Sequence, residues 1–409
     1  MKKIAIMSLV ASSILMAGGF KIPETSTNAV ALGAANIAHN HNNADAAYYN
    51  PAKMVFMSDE NHIEADLMYV KLEKVKYQGN YTYPIALGGS TIATNTESEE
   101  ENFLIPSLHF VSKKLGESDV RVGLSITTPG GLSKRWSEQP AKLTAEEFTL
   151  ETVEVNPTAA FSINDKMAVA VGFRILYSKG ISDGMYPGKM SQSMTGDSID
   201  FGYNLAFAYN PTDEIEIGLT YRSKINMTLD GDADLFHVSY MPSKASYSGS
   251  VEVPLPAALS IAAAYTFPTK TTVEVVYERT YWSAYKNIDF EYTNPMAENV
   301  FGQPKSKDWR DTNTFRLGLT QELNALTLMA GLVIDETPVP DGTLGFDLPD
   351  TDSTAVSFGG RYQVNDKVDV GLSALYSMHD DRKVKNNSLD GEFTDGNVLI
   401  ISAGLGYKF

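Results

Sequence analysis

The 409-residue sequence contains no cysteine, and its 33 basic residues are outnumbered by 50 acidic ones. Without cysteine, thiol catalysis, disulfides and cysteine-ligated metal sites are excluded. The formal net charge of −17 argues against a nucleic-acid partner bound through its phosphates. Beyond the N-terminus no apolar run approaches the roughly 18 residues that a membrane helix needs, so helical membrane spans are not expected.

The N-terminus has the organisation of an export signal. Lys2 and Lys3 precede the uncharged, mostly apolar stretch 4–17, which ends in small residues. This order is typical of a secretory signal peptide and is too short for a stop-transfer helix. It predicts cleavage after Ala17, although a first strand or helix of a soluble protein is the alternative. An exported, cysteine-free chain with 21 tyrosines indicates the envelope of a two-membrane bacterium.

From about residue 61 to the end, apolar residues alternate with small or polar ones. Phe201, Tyr203 and Leu205, for example, alternate with Gly202 and Asn204. A period of two predicts strands with one apolar face. Fourteen candidate strands lie near 61–78, 103–113, 119–128, 149–163, 167–178, 199–210, 213–228, 246–266, 270–285, 310–322, 325–335, 353–364, 367–380 and 396–409.

The connections between these strands alternate between short turns, such as 164–166, and long segments, such as 79–102 and 129–148. A soluble β-sandwich, the alternative fold, has no reason to place every long loop at one end, whereas a transmembrane barrel does. The charged residues also share one face, since Glu64 lies opposite Leu67 and its apolar neighbours. The sequence therefore predicts an all-β membrane protein, a fourteen-stranded antiparallel transmembrane β-barrel over 61–409.

Residues 18–60 lack the alternation and are rich in alanine and asparagine. Irregular backbone cannot face lipid, because lipid offers it no hydrogen-bond partners. This segment must therefore be a periplasmic extension or a plug folded inside the barrel. We predict an N-terminal plug, or hatch, over 18–60 that closes near Asn50 and Pro51.

Several short motifs, in order along the mature chain, carry a resemblance to a known family. They are Gly19-Phe20, Asn50-Pro51-Ala52, Leu108-His109-Phe110-Val111, Leu124-Ser125-Ile126-Thr127, Thr220-Tyr221-Arg222-Ser223, Trp309-Arg310-Asp311-Thr312 and Asp335-Glu336-Thr337-Pro338-Val339-Pro340. Together they resemble the FadL-type outer-membrane transporters of long-chain fatty acids, a family that includes channels for aromatic hydrocarbons. The resemblance implies a fourteen-stranded barrel with an N-terminal hatch.

The resemblance also implies substrate-binding residues. Phe20 matches an aromatic residue that lines the internal pocket, and Arg310 matches a basic residue of that pocket. From the sequence alone, hatch packing for Phe20 and an ion pair with Asp311 for Arg310 are open alternatives. The second pocket arginine of the family falls near Gly184 here, and Lys179 is the nearest cation. This departure leaves room for a neutral aromatic substrate.

Pro129, Gly130 and Gly131 directly follow the third predicted strand. Proline removes a backbone donor and glycine has no side chain to fill the wall, so strand pairing should fail there. In similar proteins a kink in this strand opens a lateral gap to the bilayer, and we predict such an opening here or a few residues earlier. The alternative is that Pro129 merely begins the external loop.

The segment 179–198 is predicted to be an external loop, in which Met185, Tyr186 and Met190 offer a flexible apolar surface for substrate capture. His39 and His41 with Asp45 could in principle bind a metal, but they lie in a polar plug. No metal site and no cofactor are predicted.

No nucleophile, metalloprotease or nucleotide-binding motif occurs, so catalytic residues are not predicted. The predicted function is passive uptake of hydrophobic compounds, foremost long-chain fatty acids, across the outer membrane of a Gram-negative bacterium. Monoaromatic hydrocarbons are the alternative substrate. A polar diffusion porin and an outer-membrane enzyme or adhesin are the alternative classes. The expected partners are the hydrophobic molecule and outer-membrane lipid, with no nucleic acid, and a monomer is expected.

Overall fold

The computed structural model describes residues 18–116 and 118–409. The predicted signal peptide, residues 1–17, lies outside the described residues. Among the helices of the described residues, none combines the length and apolarity needed to cross a membrane.

Fourteen antiparallel strands form a closed barrel, as the sequence predicts. They are β1 (His62–Leu72), β2 (Glu101–Val111), β3 (Arg121–Thr127, continued by Leu132–Arg135), β4 (Glu147–Asn164), β5 (Met167–Tyr186), β6 (Met190–Tyr209), β7 (Ile215–Arg222, continued by Ile225–His237), β8 (Met241–Leu255, continued by Ala258–Thr266), β9 (Thr271–Thr280), β10 (Thr312–Leu323), β11 (Leu326–Asp335), β12 (Ser353–Gln363), β13 (Val368–His379) and β14 (Val398–Lys408). Pairing of β1 with β14, from His62 opposite Lys408 to Leu72 opposite Val398, closes the barrel.

The two faces of the wall differ in the way the alternation predicts. Large apolar side chains point outward and stay exposed, among them Phe201 (60%), Phe358 (69%) and Leu372 (64%). Charged side chains such as Glu64 and Glu274 point into the barrel and are buried. A surface with this many exposed apolar side chains is stable only in contact with lipid.

The prediction of an external loop over 179–198 is wrong. β5 and β6 stay paired from Met167 opposite Tyr209 to Tyr186 opposite Met190, so the hairpin turn is only 187–189. The glycines and small polar residues in this stretch suggest a loop. They instead form paired strands that continue the β5–β6 hairpin past the apolar band of the barrel. The first predicted strand, 61–78, is also divided, because the chain leaves the barrel after Leu72.

Smaller elements lie at the end of the barrel that carries the long loops. A four-stranded sheet has the order Arg382–Lys385, Leu389–Asp395, Val75–Thr82, Thr91–Glu97. The other strands are Asn287–Ile288, which pairs with Lys305–Ser306, and Phe290–Tyr292, which pairs with β8. Short helical segments at this end are Ile85–Leu87, Lys142–Ala145, Trp282–Ala284, Pro295–Phe301 and Asp341–Thr343.

The N-terminal segment, residues 18–60, folds into three short helices, Thr27–Leu32, Ala46–Tyr49 and Pro51–Phe56. Ser26 caps the first by accepting a hydrogen bond from the Ala29 N–H. Asn50 caps the last, and its side-chain amide donates to the carbonyls of Ile37 (2.8 Å) and Phe207 (3.2 Å). Asn50 therefore fastens this segment to strand β6.

Inward-facing residues of strands around the barrel contact the same segment. The Thr27 N–H donates to Asp66 of β1 (2.9 Å), and the backbone N–H groups of Ile37, Ala38 and His39 donate to Glu274 of β9 at 2.7–3.0 Å. Glycines permit this approach, because a Cβ at Gly331 would lie 2.3 Å from the carbonyl carbon of Leu32.

Candidate functional site

An apolar cavity with about 690 Å³ of empty space lies in the half of the lumen nearest the long loops. Residues of β3, β4, β7 and β8 contribute aliphatic side chains to its wall. Among them are Leu132, Leu150, Leu229, Val251 and Val253.

Phe20 lies in the wall of this cavity and is 1% exposed. Its ring meets Trp282 edge-on at 4.7 Å between centroids and lies 5.9 Å from the ring of Trp309. The preceding Gly19 has φ +80°, and a Cβ there would lie 2.6 Å from the Trp282 ring. Glycine at this position therefore lets the N-terminus pass between the two indoles.

Trp282 and Lys307 were not among the residues predicted from the sequence. The sequence did carry a signal for Trp282. The chain has only three tryptophans, and all three, Trp136, Trp282 and Trp309, belong to the same buried apolar cluster. Tryptophan buries a large apolar area, so three scattered indoles could have marked one shared core.

Among the described residues, the charged side chains that line the apolar cavity are Lys307 and Asp347, and they form an ion pair. Burial alone would raise the pKa of Asp347, but the Lys307 ammonium and its hydrogen bond hold that pKa below the ordinary value. A charged ligand would therefore have to compete with Asp347 for Lys307.

A second cavity adjoins the first, and Phe148, Lys307 and Asp347 are among the residues that line both. It continues past Lys305 to Leu344 in the long loop between β11 and β12. The linings of the two cavities together extend from Leu344 in the loops to Phe20.

The two cations predicted to bind substrate, Arg310 and Lys179, lie outside the apolar cavity. Arg310 is exposed and lines a separate polar cavity with Asp311 and Arg382, while its backbone N–H donates to the Pro338 carbonyl (2.9 Å). Lys179 shares the outward face of β5 with the exposed Tyr177, and its cross-strand neighbours are Glu151 and Asp197. Neither residue lines the apolar cavity.

The predicted capture residues lie at the tip of the β5–β6 hairpin. Tyr186 and Met190 are partly buried against the large apolar cluster, and the Tyr186 ring contacts that of Tyr83 at 5.3 Å. The Met185 carbonyl accepts a hydrogen bond from the Gln139 amide (2.6 Å). Further down the same hairpin, Met194 lines the apolar cavity.

Pairing between β2 and β3 is short. It runs from Leu108 opposite Ile126 to Val111 opposite Gly123, whereas β2 pairs with β1 along its full length. Within the described part of the chain, the β2 segment 101–107 has strand partners on β1 alone. Pro106 lies in this segment and was not among the residues predicted for the opening, although a proline inside a strand is a sequence signal for missing pairing.

The third strand turns inward at Pro129, Gly130 and Gly131. The Pro129 carbonyl accepts from the Ile22 N–H (3.0 Å), and the Gly131 N–H donates to the Phe20 carbonyl (2.7 Å). The kink thus pairs with the N-terminal segment in place of β2. Phe20 therefore belongs both to the cavity wall and to the backbone ladder that holds the kink.

A polar contact bounds the unpaired segment at its other end. Ser133 Oγ donates to the Glu101 carboxylate (2.5 Å), which also forms an ion pair with Arg135. Arg135 in turn reaches Glu147 of β4 at 2.7 Å. This interruption of the pairing between β2 and β3, here called the window, is bounded by regular pairing below and by an ion-pair network above.

Comparisons with known proteins agree with this architecture. The family described as outer membrane protein transport protein (OMPP1/FadL/TodX) matches residues 8–409. The chain belongs to this family. It is 22% identical to the long-chain fatty acid transport protein of Escherichia coli O6:H1, over 99% of this chain and 98% of that protein. Outer membrane protein P1 of Haemophilus influenzae is 21% identical over 98% of this chain and 99% of its own length.

Solved structures with the same fold include a Pseudomonas aeruginosa FadL homologue, with TM-score 0.82 and 19% identity over 96% of this chain and all of that one. The toluene transporter TodX of Pseudomonas putida has TM-score 0.72 and 17% identity over 95% of this chain and 98% of that one. Family membership and the barrel identify this FadL-type protein as an outer-membrane transporter of hydrophobic compounds, and the prediction that it is no enzyme is confirmed.

Proposed function

We propose that this transporter takes up long-chain fatty acids by passive diffusion through the apolar cavity and out of the wall between β2 and β3. The observation that carries the proposal is the Gly131–Phe20 backbone hydrogen bond of 2.7 Å. It joins the cavity wall to the kink at the window. A ligand that displaces Phe20 would thereby disturb the strand beside the opening.

The energetics of an alkyl chain support this route. Each buried methylene gains about 0.8 kcal/mol relative to water, and both the cavity and the bilayer interior offer that gain. Transfer between them needs no energy source, provided that the chain does not cross water on the way. A lateral exit into outer-membrane lipid meets this condition, whereas an exit through the lumen past the hydrogen-bonded N-terminal segment does not.

The carboxylate head requires a cation or hydrogen-bond donors once it leaves water. Lys307 is the cation of the apolar cavity, and Lys305 lies in the adjoining one. We assign the head group to Lys307, where it would replace Asp347 as ion-pair partner. The alkyl chain would then extend toward Phe20.

The residues 18–60 would act as the hatch, since their bonds to Asp66 and Glu274 close the lumen below the cavity. The tip residues Met185, Tyr186 and Met190 would make the first contact with substrate. We propose that the protein acts as a monomer, because cavity, kink and hatch all come from one chain.

Monoaromatic hydrocarbons are the second candidate, and one observation favours them. Lys307 is already neutralised by Asp347, so the cavity can accept an uncharged aromatic ring without breaking an ion pair. The aromatic side chains of Phe20, Trp309 and Tyr285 would meet such a ring edge-on or offset.

The two substrates can be separated by measuring uptake of labelled oleate and toluene in cells that express Lys307→Gln. If oleate is the substrate, its uptake should fall about tenfold, because a hydrogen bond to a charged group contributes about 1.5–3 kcal/mol. Toluene uptake should not change. Arg310→Ala removes an exposed cation outside the cavity and is the matched control.

A larger effect of Arg310→Ala than of Lys307→Gln on oleate uptake would move the head group to the polar cavity at Arg310. If toluene alone requires the protein, the fatty acid assignment fails. If neither compound requires it, the proposed function fails.

A further inference from the structure

Two histidines of the N-terminal segment meet two carboxylates of the barrel wall at the end with the short turns. His39 Nε2 lies 3.2 Å from His41 Nδ1, and His41 Nδ1 lies 3.5 Å from Glu322 Oε1 at the end of β10. One candidate ligand atom from each of these three residues lies within 4.8 Å of the other two. Glu216 of β7 contacts the other nitrogen of His39.

The surrounding contacts hold the turn that carries both histidines. The His39 N–H donates to Glu274 (3.0 Å), which also accepts from the two preceding N–H groups. Asn40 Oδ1 accepts from the Asn43 N–H (3.2 Å) and closes a turn around His41. The two rings stand nearly perpendicular, with centroids 4.1 Å apart.

The contact with Glu216 fixes the tautomer of His39. A carboxylate only accepts hydrogen bonds, so His39 Nδ1 carries the proton and Nε2 presents its lone pair to His41. The other oxygen of Glu216 is 2.5 Å from the Lys53 ammonium, which keeps the carboxylate in position. A histidine that donates its second nitrogen to a carboxylate is the usual arrangement around a protein-bound zinc ion.

We propose that His39 Nε2, His41 Nδ1 and Glu322 bind a divalent transition-metal ion, represented by Zn²⁺, with water as the fourth ligand. Metal–ligand bonds of about 2.0–2.2 Å place neighbouring ligands of a tetrahedral site about 3.3–3.5 Å apart. The two separations in the structure, 3.2 Å between the imidazole nitrogens and 3.5 Å between His41 and Glu322, lie close to that spacing. Glu322 is 47% exposed, so a hydrated ion can reach the site.

The donor set selects the class of metal. Two imidazole nitrogens and one carboxylate suit Zn²⁺ and its transition-metal neighbours, whereas Ca²⁺ and Mg²⁺ prefer oxygen ligands alone. Asp45, the third ligand that the sequence suggested, accepts hydrogen bonds from Ser26 (2.8 Å) and Asn36 (3.2 Å). Glu322 takes its place because the fold brings the β10–β11 turn, distant in sequence, beside His41.

A bound ion would tie the N-terminal segment to β10 directly and to β7 through Glu216. These links lie at the end of the lumen opposite the apolar cavity, so the metal ligands are separate from the residues proposed to bind substrate. The role of the bound ion would be to hold the N-terminal segment in the barrel mouth.

The test is titration of the purified full-length protein in detergent with Zn²⁺ by calorimetry, and with Co²⁺ by visible absorption. We expect one ion per chain and the intense visible band of four-coordinate Co²⁺. His41→Ala and Glu322→Gln should each weaken Zn²⁺ binding at least about tenfold. Glu216→Gln, which acts through His39, should weaken it by about 10–100-fold while leaving the stoichiometry unchanged.

His237→Ala is the matched control, because His237 lies in the β7–β8 hairpin on the long-loop side, and this change should leave the titration unaltered. Folding of each variant is checked in denaturing detergent, where a folded barrel stays intact until the sample is heated. Absence of Zn²⁺ binding to the unaltered protein would overturn the proposal. So would equal binding by folded His41→Ala and the unaltered protein.

Discussion

The lumen has two halves of opposite chemistry. In the half near the short turns, the N-terminal segment meets buried ion pairs such as Glu154–Arg174 at 2.7 Å and the contacts of Arg361 with Glu64 and Asp369. In the half near the long loops, aromatic and aliphatic side chains surround a cavity whose lining, among the described residues, carries a single ion pair.

The difference between the halves matches two tasks. Hydrogen bonds and ion pairs are directional, so the polar half can hold a segment with little repetitive structure in one position. Apolar contacts are non-directional, so the other half can accept ligands of varied shape. The halves meet at Phe20–Ile22, where the N-terminal segment leaves the aromatic cluster and pairs with the kink.

The largest effect on stability is expected from breaking the polar half. Arg361→Met leaves Glu64 and Asp369 buried without their cation and removes the hydrogen bond to Asn28 (3.0 Å). Removing one partner of a buried ion pair costs about 3–5 kcal/mol. Urea unfolding in lipid vesicles should show this loss, and Arg310→Met, at an exposed position, should show almost none. A loss below about 1 kcal/mol for Arg361→Met, well under that range, would contradict the assigned role.

Substrate binding in the apolar half should be disrupted by a charged side chain in the cavity wall. Leu229 is 4% exposed and lines the cavity, so Leu229→Asp would place a carboxylate against the substrate chain. Burying even an uncharged polar group without a partner costs about 1–3 kcal/mol, and an unpaired carboxylate costs more, so oleate uptake should fall at least about tenfold. Leu229→Met conserves apolar character and should transport normally. Undiminished uptake by the aspartate variant would show that substrate avoids this cavity.

The fit between the N-terminal segment and the wall can be tested with one methyl group. A Cβ at Gly331 would lie 2.3 Å from the Leu32 carbonyl carbon, whereas one at Gly342 would have open space around it. Overpacking costs about 1–3 kcal/mol, so Gly331→Ala should destabilise the folded protein by that amount in urea. Gly342→Ala is the control. Equal stability of the two variants would mean that the segment moves aside freely.

The last effect depends on pH and is expected at Asp350, which accepts a hydrogen bond from the Gly19 N–H (3.3 Å). Burial raises the pKa of Asp350 from 3.8 to about 8. The folded protein therefore holds a proton that the unfolded chain has released between these values, and stability falls as pH rises through that window. Asp350→Asn should lessen this fall in unfolding measurements across pH. Parallel curves for the two proteins would contradict the assignment.

The strand pattern was predictable because a barrel wall imposes a period of two on every crossing, whatever its neighbours. Residues 201–209 and 368–378 show it without any tertiary information. The site was less predictable, because its members come from distant segments. Phe20 was found through a motif, but Lys307 has no local signature and reaches the cavity only through the long connection between β9 and β10. His41 and Glu322 likewise meet only through the closure of the barrel.

Passage of substrate from the apolar cavity through the window beside the kink is the central claim. The most direct test is uptake of labelled oleate by cells in which Pro129, Gly130 and Gly131 are replaced by valine, threonine and valine, at matched amounts of folded protein. These residues favour continuous pairing. We predict that uptake falls to that of cells lacking the protein. Unchanged uptake would contradict the lateral route.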